Sequence, residues 1–402
     1  MESASFKSKE ELEIIRIVLT NDNSARRQDV INESSCGSSK TTELLMQLRE
    51  RGILRHNPNK QLAQSAPGRS PHVYAVNPTL GAFVGIAVNN VYDRLALIDF
   101  SGEVTGTKEY EPSYKAEQTI ASLQLHLQDF IQSHKPHDQP LRGITLGLHG
   151  IFDERTGTLY RIPNQTGDVN LHAREEIERT FGVPVHVCHA KYLLMLHRYR
   201  FSPELNNGCI VNLHHGYGVG MGISFNGTFM EGGSGLSGEI GHTRYADNDR
   251  RCYCGQVGCL RTLVSYQAIV EDVLEKIRAG SPTRADLEHL RTASFEDGVK
   301  HIVDCAIDRD TLCMQTVYET GTRLGVSLGT AVTLLNPDVL VIHSDLSRVG
   351  ELFTAPLRYN LQNNALTQSV RNLSVEFSVL EPFAAPIGGG LMALKHELQD
   401  SI

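Results

Sequence analysis

The segment Gly238-Glu239-Ile240-Gly241-His242-Thr243, followed closely by Cys252-Tyr253-Cys254-Gly255-Gln256-Val257-Gly258-Cys259, carries the most specific chemical pattern of the chain. Within eighteen residues it places one imidazole and three thiols: His242, Cys252, Cys254 and Cys259. Three thiolates and one histidine are a donor set of tetrahedral zinc, and a closed set of four leaves no position for a reactive water. The pattern therefore predicts a structural zinc site, with reduced cysteines in a metal-free loop as the alternative.

The composition is that of a globular protein with several domains. The chain has 402 residues, of which 40% are hydrophobic and 21% charged, and a domain typically spans about 100 to 200 residues. Eight cysteines are too few for a disulfide scaffold. The first residues are polar and no run of about 18 apolar residues follows. We therefore expect a cytoplasmic protein without membrane insertion.

The charge is distributed unevenly along the chain. The formal net charge of −8 argues against nonspecific nucleic-acid binding by the whole molecule. Between Arg26 and Arg69, however, eight basic residues stand against four acidic ones, which gives this stretch a charge of +4 and leaves the remainder near −12. A basic N-terminal region on an acidic protein is compatible with local DNA binding.

The first 76 residues have the pattern of a winged helix-turn-helix domain. Apolar residues at helical spacing predict a helix that includes 12–19, a shorter second helix over about 25–34, and a third that begins at Ser38 as N-cap. In the third helix one face is apolar, with Thr41, Leu44, Leu45 and Leu48. An extended segment at 72–76, after a polar stretch, predicts a β-wing.

This order of elements is typical of proteins that insert a recognition helix into the major groove of DNA, with a wing near the phosphate backbone or the minor groove. The predicted DNA-binding residues are the outward polar positions and the wing arginine: Ser38, Ser39, Lys40, Thr42, Gln47 and Arg69. The alternative is a three-helix protein-interaction module whose basic residues form a solvated face.

The rest of the chain predicts an α/β fold. Short apolar runs typical of buried strands occur at 83–88, 95–99, 143–148, 185–188, 209–213, 220–225 and 339–342. Helical stretches lie between them, near 117–133, 171–181, 264–279 and 316–335. We expect an N-terminal lobe over 80–195, completed by a C-terminal helix at 386–402, and a C-terminal lobe over 196–385 that carries the zinc motif.

The chain resembles the ROK group of sugar kinases and kinase-derived repressors, and within it the NagC/Mlc type of sugar-responsive transcriptional repressor. The resemblance spans nearly the whole chain and rests on four motifs: 238–243, 252–259, Arg161-Ile162-Pro163-Asn164 and Leu335-Asn336-Pro337-Asp338. It implies a two-lobed actin-like (RNase H-like) fold with a sugar pocket between the lobes, and zinc held by the four ligands above. It also implies that Glu239, His242 and Asn164 contact the sugar effector.

Three departures from the kinase pattern predict that the protein is not an enzyme. Kinases of this family carry a general-base aspartate where this chain has Ala190, and alanine cannot accept a proton. The first phosphate loop reads Ala87-Val88-Asn89-Asn90, without a carboxylate to organise magnesium. The second reads Gly216-Tyr217-Gly218, with a bulky ring in place of the family's threonine.

A further departure is Arg261, because the family usually has a sugar-contacting glutamate after the leucine that follows the last zinc cysteine. One hypothesis is that Arg261 binds an acidic or phosphorylated sugar, since guanidinium matches such anions bidentately. The other is that it forms an internal ion pair. His189, which precedes Ala190, is assigned no catalytic role.

We therefore predict a DNA-binding transcriptional repressor, acting as a homodimer or dimer of dimers on operator DNA, with a sugar or sugar phosphate as effector. Two other classes stay open. One is an active sugar kinase with a regulatory N-terminus, in which another carboxylate such as Asp168 replaces the missing base. The other is a regulator controlled by a partner protein.

Overall fold

The computed structural model describes residues 6, 8–56, 73–89, 91–113, 119–162, 169–200, 207–233, 235–246 and 248–400. The described residues group into two compact units. The first comprises Met1–Tyr160, Asp168–Glu204 and Phe383–Ile402, and the second comprises Arg161–Gly167 and Leu205–Pro382.

Helices and strands alternate through most of the described chain. The helices are α1 Lys9–Thr20, α2 Arg27–Glu33, α3 Ser38–Glu50, α4 Thr119–His134, α5 Ala173–Phe181, α6 Ala190–Tyr199, α7 Arg261–Val264, α8 Tyr266–Arg278, α9 Leu287–Thr292, α10 Phe295–Ile307, α11 Thr311–Leu335, α12 Glu351–Asn364, α13 Thr367–Val370 and α14 Ala384–Asp400. The strands are β1 Ala25–Arg26, β2 Leu54–His56, β3 Val73–Val76, β4 Ala82–Val88, β5 Asp93–Asp99, β6 Val104–Tyr110, β7 Leu141–Leu148, β8 Ile151–Asp153, β9 Thr158–Arg161, β10 Leu171–His172, β11 Val185–His189, β12 Cys209–His215, β13 Val219–Phe225, β14 Thr228–Phe229, β15 Val339–His343 and β16 Ser374–Ser378.

The N-terminal region has the predicted three helices and a small antiparallel sheet with the strand order β1-β3-β2. The third helix buries the four predicted apolar-face residues, Thr41, Leu44, Leu45 and Leu48. The predicted cap was wrong by one residue, because Gly37 is the extended N-cap and Ser38 is the first helical residue. No side chain caps this end of α3, so its first N–H groups are left for other partners.

A five-stranded sheet with the order β11-β7-β4-β5-β6 forms the centre of the first unit. Helix α14 packs directly on β4, and glycines permit the close approach. A Cβ on Gly85 would overlap the backbone of Pro386 and Gly390, and one on Gly389 would meet the Cα of Gly85 at 2.9 Å. The C-terminal helix of the chain is thus part of the core of this unit.

The core of the N-terminal region is continuous with that of the sheet. One cluster of buried side chains joins Phe6 and α1 to Phe83 and Phe100, and to the end of α14 at Leu394 and Leu398. The Phe100 ring lies 6.2 Å from that of Phe6 and 5.6 Å from that of Phe83. Within this unit the N-terminal helices therefore share their core with the sheet and with α14.

The second unit has its own five-stranded sheet, with the order β14-β13-β12-β15-β16. The pairs β12–β15 and β15–β16 are parallel, and β12–β13 is antiparallel. Two of the helices differ from their predicted bounds. The predicted helix 264–279 is divided at Ser265, which caps α8, and the helix predicted near 316–335 begins earlier, at Thr311. The Ser265 hydroxyl accepts a hydrogen bond from the N–H of Ala268, which makes it a local helix start.

None of the described helices is both long enough and apolar enough to cross a membrane.

Candidate functional site

The structure brings the four predicted metal ligands together. The donor atoms of His242, Cys252, Cys254 and Cys259 all lie within 4.8 Å of one another. The Cys252 sulfur is 3.6 Å from Nδ1 of His242, and the Cys254 and Cys259 sulfurs are 3.7 Å apart. Tetrahedral zinc with Zn–S bonds of about 2.3 Å and Zn–N bonds of about 2.0 Å spans edges of about 3.8 Å between two sulfurs and about 3.5 Å between sulfur and nitrogen. The donor set therefore fits zinc in its chemistry, and these two separations match the edges of a zinc tetrahedron.

Tight turns hold the cysteine loop in this shape. The N–H of Cys252 donates to the carbonyl of Gln256 at 2.8 Å, and Gly255, which turns the chain, has a φ of +92°. Gly258 has a φ of +85°, and its carbonyl accepts from the N–H of Tyr245 at 2.8 Å. Both glycines occupy backbone conformations that residues with a Cβ rarely adopt. The spacing of the cysteines is thus fixed by the backbone before any metal binds.

The segment before the loop uses glycine to approach β13 closely. Gly238 has a φ of +73°, its carbonyl accepts from the N–H of Met221 at 2.7 Å, and a Cβ on it would overlap the Met221 carbonyl. A Cβ on Gly241 would overlap the Val219 carbonyl. The two glycines therefore place Glu239 and His242 at a fixed height above the strand.

The crowded thiols have divergent pKa values. Burial raises the pKa of the Cys252 thiol, but hydrogen bonding with His242 and Cys254 outweighs burial and lowers this pKa to about 6. Burial, together with the neighbouring Cys254 and Cys252 sulfurs, raises the pKa of Cys259 to about 12. Adjacent thiolates repel one another, so a divalent cation is what would allow all three to ionise together.

Tyr253 and Arg261 cover the cluster on one side. The Tyr253 hydroxyl is 3.3 Å from Nε2 of His242, and the two rings meet edge to face with centroids 5.3 Å apart. The Arg261 guanidinium lies over the Tyr253 ring at 4.4 Å, and its Nη2 donates to the Tyr217 carbonyl at 3.4 Å. Since Nδ1 of His242 faces Cys252, Nε2 is the nitrogen available to these outer groups. The sequence pattern predicted the four ligands but not Tyr253, although its position between the ligands Cys252 and Cys254 was a signal.

The structure describes three of the four predicted effector residues. Glu239 and His242 are adjacent, with Oε2 of the glutamate 4.0 Å from Nε2 of the histidine. Arg261 is only 7% exposed and makes no ion pair with any residue that the structure describes. Asn164 lies outside the described residues.

Glu239 also borders a pocket of about 790 Å³ within the second unit. Its walls are largely apolar and include Met221, Ile223 and Leu334.

The predicted DNA-contacting positions of α3 form one exposed face. Ser38, Ser39, Lys40 and Gln47 are exposed, whereas Thr42 is half-buried. Arg69 lies outside the described residues. A link that the sequence did not reveal joins the two helices, because Nη2 of Arg27 donates to the Thr42 hydroxyl at 3.0 Å. Thr42 is thereby engaged within the fold, while the serines and the lysine are free to contact a ligand.

The residues at the positions predicted to match the kinase machinery make local structural contacts. Ala190 is the first residue of α6, and the N–H of His189 before it donates to the Glu154 carboxylate at 3.1 Å. The sequence did not predict this role of Glu154, because the residues around position 154 in the chain give no sign of a contact with position 189. Asn89 caps the β4–β5 turn by accepting from the N–H groups of Val91 and Tyr92.

The fold and this cluster define a two-unit α/β protein with a helix-turn-helix region at its N-terminus. The ROK family model matches residues 83–396. The chain therefore belongs to the ROK family.

Two curated relatives illustrate the similarity. The chain is 27% identical over 343 residues to a putative xylose repressor of Caldicellulosiruptor sp. (strain Rt8B.4), covering 84% of each protein. It is 26% identical over 358 residues to the DNA-binding transcriptional dual regulator NagC of Escherichia coli (strain K12), covering 88% of this chain and 85% of that protein.

Solved structures confirm the predicted fold class, a winged helix-turn-helix followed by a sugar-kinase-type fold. A ROK family transcriptional regulator, described as a homolog of the E. coli MLC protein, superimposes with a TM-score of 0.77 at 22% identity, covering 98% of this chain and 97% of that one. A ROK family glucokinase from Streptomyces griseus, in complex with glucose and AMPPNP, gives a TM-score of 0.65 at 21% identity, covering 78% of this chain and 100% of that one.

Proposed function

We propose that the protein is a sequence-specific DNA-binding transcriptional regulator, a repressor, which responds to a sugar or sugar derivative. The observation that carries the proposal is the exposed polar face of α3, in a helix-turn-helix region that shares one core with a ROK domain. The relatives named as repressor and regulator support it, since they match 84% and 88% of this chain.

In this proposal α3 is the recognition helix, and it enters the major groove. Ser38, Ser39 and Lys40 lie at its exposed N-terminal end, where recognition helices of this class contact base edges. Gln47, further along, can read a base edge through its amide, and Arg69 of the wing region contacts the backbone or the minor groove. A homodimer, or a dimer of dimers, would present two such helices to operator half-sites about 34 Å apart.

The effector is a sugar or sugar phosphate held by Glu239, His242 and Asn164. Zinc, held by His242, Cys252, Cys254 and Cys259, would supply a rigid anchor for the motif that carries two of these residues. Because the set of four ligands is closed, the metal has a structural role. For the sugar to regulate DNA binding, it must bind one conformation of the protein better than the other.

The shared core supplies a route for regulation inside the first unit. Helix α14 contacts β4 along its glycines and α1 near its C-terminal end. A change in the position of α14 relative to the sheet therefore has to move α1 with it, because packed cores deform little. The helix-turn-helix region would follow such a movement.

Loss of phosphotransfer belongs to the same proposal. Ala190 offers no proton acceptor at the position of the family's base, and the described part of the 87–90 turn contributes no carboxylate for a metal–nucleotide complex. The Glu154 carboxylate is committed to the N–H of His189. We place the protein in the cytoplasm, as a regulator without enzymatic activity.

The test is binding of the purified protein to fragments of the promoter region beside its own gene, at controlled salt. Lys40→Ala and Arg69→Ala are expected to weaken binding, whereas Arg278→Ala, which removes an exposed charge from α8 in the second unit, is the matched control. No preference over random DNA at any salt would overturn the proposal. ATP-dependent phosphorylation of a sugar would then support the kinase. Specific DNA binding that is released by a partner protein and not by any sugar would instead support the protein-controlled regulator.

A further inference from the structure

Arg261 is a buried cation that has no carboxylate partner in the described part of the chain. Its side chain is 7% exposed, and among the residues that the structure describes its contacts are the Tyr253 ring at 4.4 Å and the Tyr217 carbonyl at 3.4 Å. A guanidinium has five N–H donors and keeps its charge at every physiological pH. Burial of such a charge requires compensation by an anion or by oriented dipoles, and one carbonyl is insufficient.

The neighbouring metal cluster becomes an anion when zinc binds. Two positive charges of zinc combined with three cysteine thiolates and one neutral imidazole leave a net charge of −1. Arg261 is only two residues beyond the ligand Cys259 in the chain. It therefore lies close in the chain to a group whose charge is opposite to its own.

Tyr253 connects the cation to the cluster. It stands in the chain between the ligands Cys252 and Cys254, carries Arg261 over the face of its ring, and places its hydroxyl 3.3 Å from the ligand His242. The ring is attractive to a cation on its face and to a polarised ring edge. The guanidinium, the phenol ring and the His242 imidazole thus form one continuous series of contacts.

We propose that Arg261 is a positioning residue of the zinc centre: it is the counter-cation of the zinc–thiolate cluster, acting through Tyr253. The role rests on the proposed zinc occupancy and is independent of DNA binding. It also links the metal to the Gly216-Tyr217-Gly218 turn, because the same guanidinium holds the Tyr217 carbonyl. Zinc binding then orders this turn, and Arg261 is engaged inside the protein rather than in reading an anionic effector.

The experiment measures zinc affinity by competition with a chromogenic chelator, in reducing buffer, for the full chain. Replacement of an outer group around a metal typically weakens binding about 10- to 100-fold. We expect Arg261→Ala and Arg261→Met to fall in that range and Arg261→Lys to recover most of the affinity. Arg251→Ala is the matched control, because it removes an exposed arginine beside the ligand Cys252, and it should stay within about twofold since exposed charges are screened.

Hydrogen exchange supplies the second readout. Zinc should protect the amides of 216–218 in the wild-type chain and fail to do so in Arg261→Ala. If Arg261→Ala does not fold, Tyr253→Leu and Tyr253→Phe provide the same comparison. Tyr253→Leu should lose the contact of the ring with Arg261 and the high zinc affinity, whereas Tyr253→Phe should keep both.

Three results would overturn the proposal. They are a wild-type chain that binds no zinc, zinc affinities of Arg261→Ala and Arg251→Ala that agree within twofold, or loss of sugar-phosphate binding in Arg261→Ala with zinc affinity unchanged. The last result would support the anionic-effector hypothesis instead. None of these outcomes depends on whether the protein binds an operator, so they can be distinguished from failure of the repressor proposal.

Discussion

Nη2 of Arg16, in α1, donates a hydrogen bond of 3.1 Å to the backbone carbonyl of Leu398, in α14, across 382 residues of sequence. The last carbonyls of a helix lack partners within it, and a cation is favoured at that end by the helix dipole. The contact therefore stabilises both helices where they meet. Together with the aromatic cluster around Phe100, it makes the N-terminal helices dependent on the rest of the first unit.

Phe100→Ala tests this dependence. The ring is fully buried between Phe6 and Phe83, and Phe-to-Ala substitutions in cores lower the free energy of unfolding by about 3–5 kcal/mol. We expect that loss in denaturant titrations, with the N-terminal helices melting in the same transition as the sheet. Phe225→Ala, at a position 56% exposed, should change the free energy by less than about 0.5 kcal/mol. A separate, unshifted transition for the N-terminal helices would contradict the shared core.

Lys40 and Gln47 should affect DNA binding in different ways. Lys40 is exposed at the start of α3, and loss of one phosphate contact reduces the slope of log K against log salt by about 1 for every sequence. Gln47 donates to Glu43 at 3.0 Å in the free protein and would exchange that bond for a base edge. Gln47→Ala should therefore cost about 1–3 kcal/mol on the operator and little on random DNA. Equal losses on both DNAs for Gln47→Ala would remove it from the base-reading set.

A carboxylate introduced at position 190 should not give the protein kinase activity. Ala190→Asp places a carboxylate at the start of α6, but the Asn89 side chain remains engaged, because it accepts from the N–H groups of Val91 and Tyr92. We expect no ATP-dependent sugar phosphorylation above background for the wild type or for this variant, because positioning of the metal–nucleotide complex is also required. Glu154→Gln serves as the control for a substitute base. Activity in the wild type that disappears in Glu154→Gln would reverse the conclusion.

Patterns within short stretches of sequence predicted those features of the fold that depend on residues close together in the chain. The apolar face of α3 and the strand runs of both sheets follow from side-chain periodicity, and the metal ligands follow from a spacing that Gly255 and Gly258 impose on a short loop. The predicted N-cap of α3 was wrong by only one residue, because Gly37 and Ser38 both suit an N-cap position.

Sequence periodicity could not predict contacts between segments that are far apart in the chain. Periodicity shows that Phe100 and Leu398 are apolar, but it does not show that they meet in one cluster with α1. The stack of Arg261 on Tyr253 was missed for a related reason, because the two hypotheses for Arg261 considered only anions as its partners. An aromatic ring beside a metal ligand becomes a candidate only when the loop is folded.

Acid should destabilise the protein through His215. This histidine is fully buried in β12, with Nδ1 2.7 Å from the Ser344 hydroxyl and Nε2 2.7 Å from the Val264 carbonyl, so a neutral ring satisfies both partners. Burial lowers its pKa from the usual 6.5 to about 4, although the Val264 carbonyl acts in the opposite direction. The titratable groups beside it are Tyr266, whose ring is 5.4 Å away, and Asp345, which accepts from the Tyr266 hydroxyl.

Because the folded-state pKa is below the unfolded one, the unfolded chain binds the proton first as the pH falls. The stabilisation is complete above pH 6.5 and is lost between pH 6.5 and 4, which amounts to about 2 kcal/mol between pH 7 and pH 5 for a group with this shift. His215→Phe should unfold more easily at pH 7, since two hydrogen bonds are lost, but its free energy of unfolding should depend less on pH by that amount. His137→Gln, which changes an exposed histidine, should keep the wild-type slope. Parallel pH profiles for the wild type and His215→Phe, measured by urea titration, would show that His215 is not the group responsible.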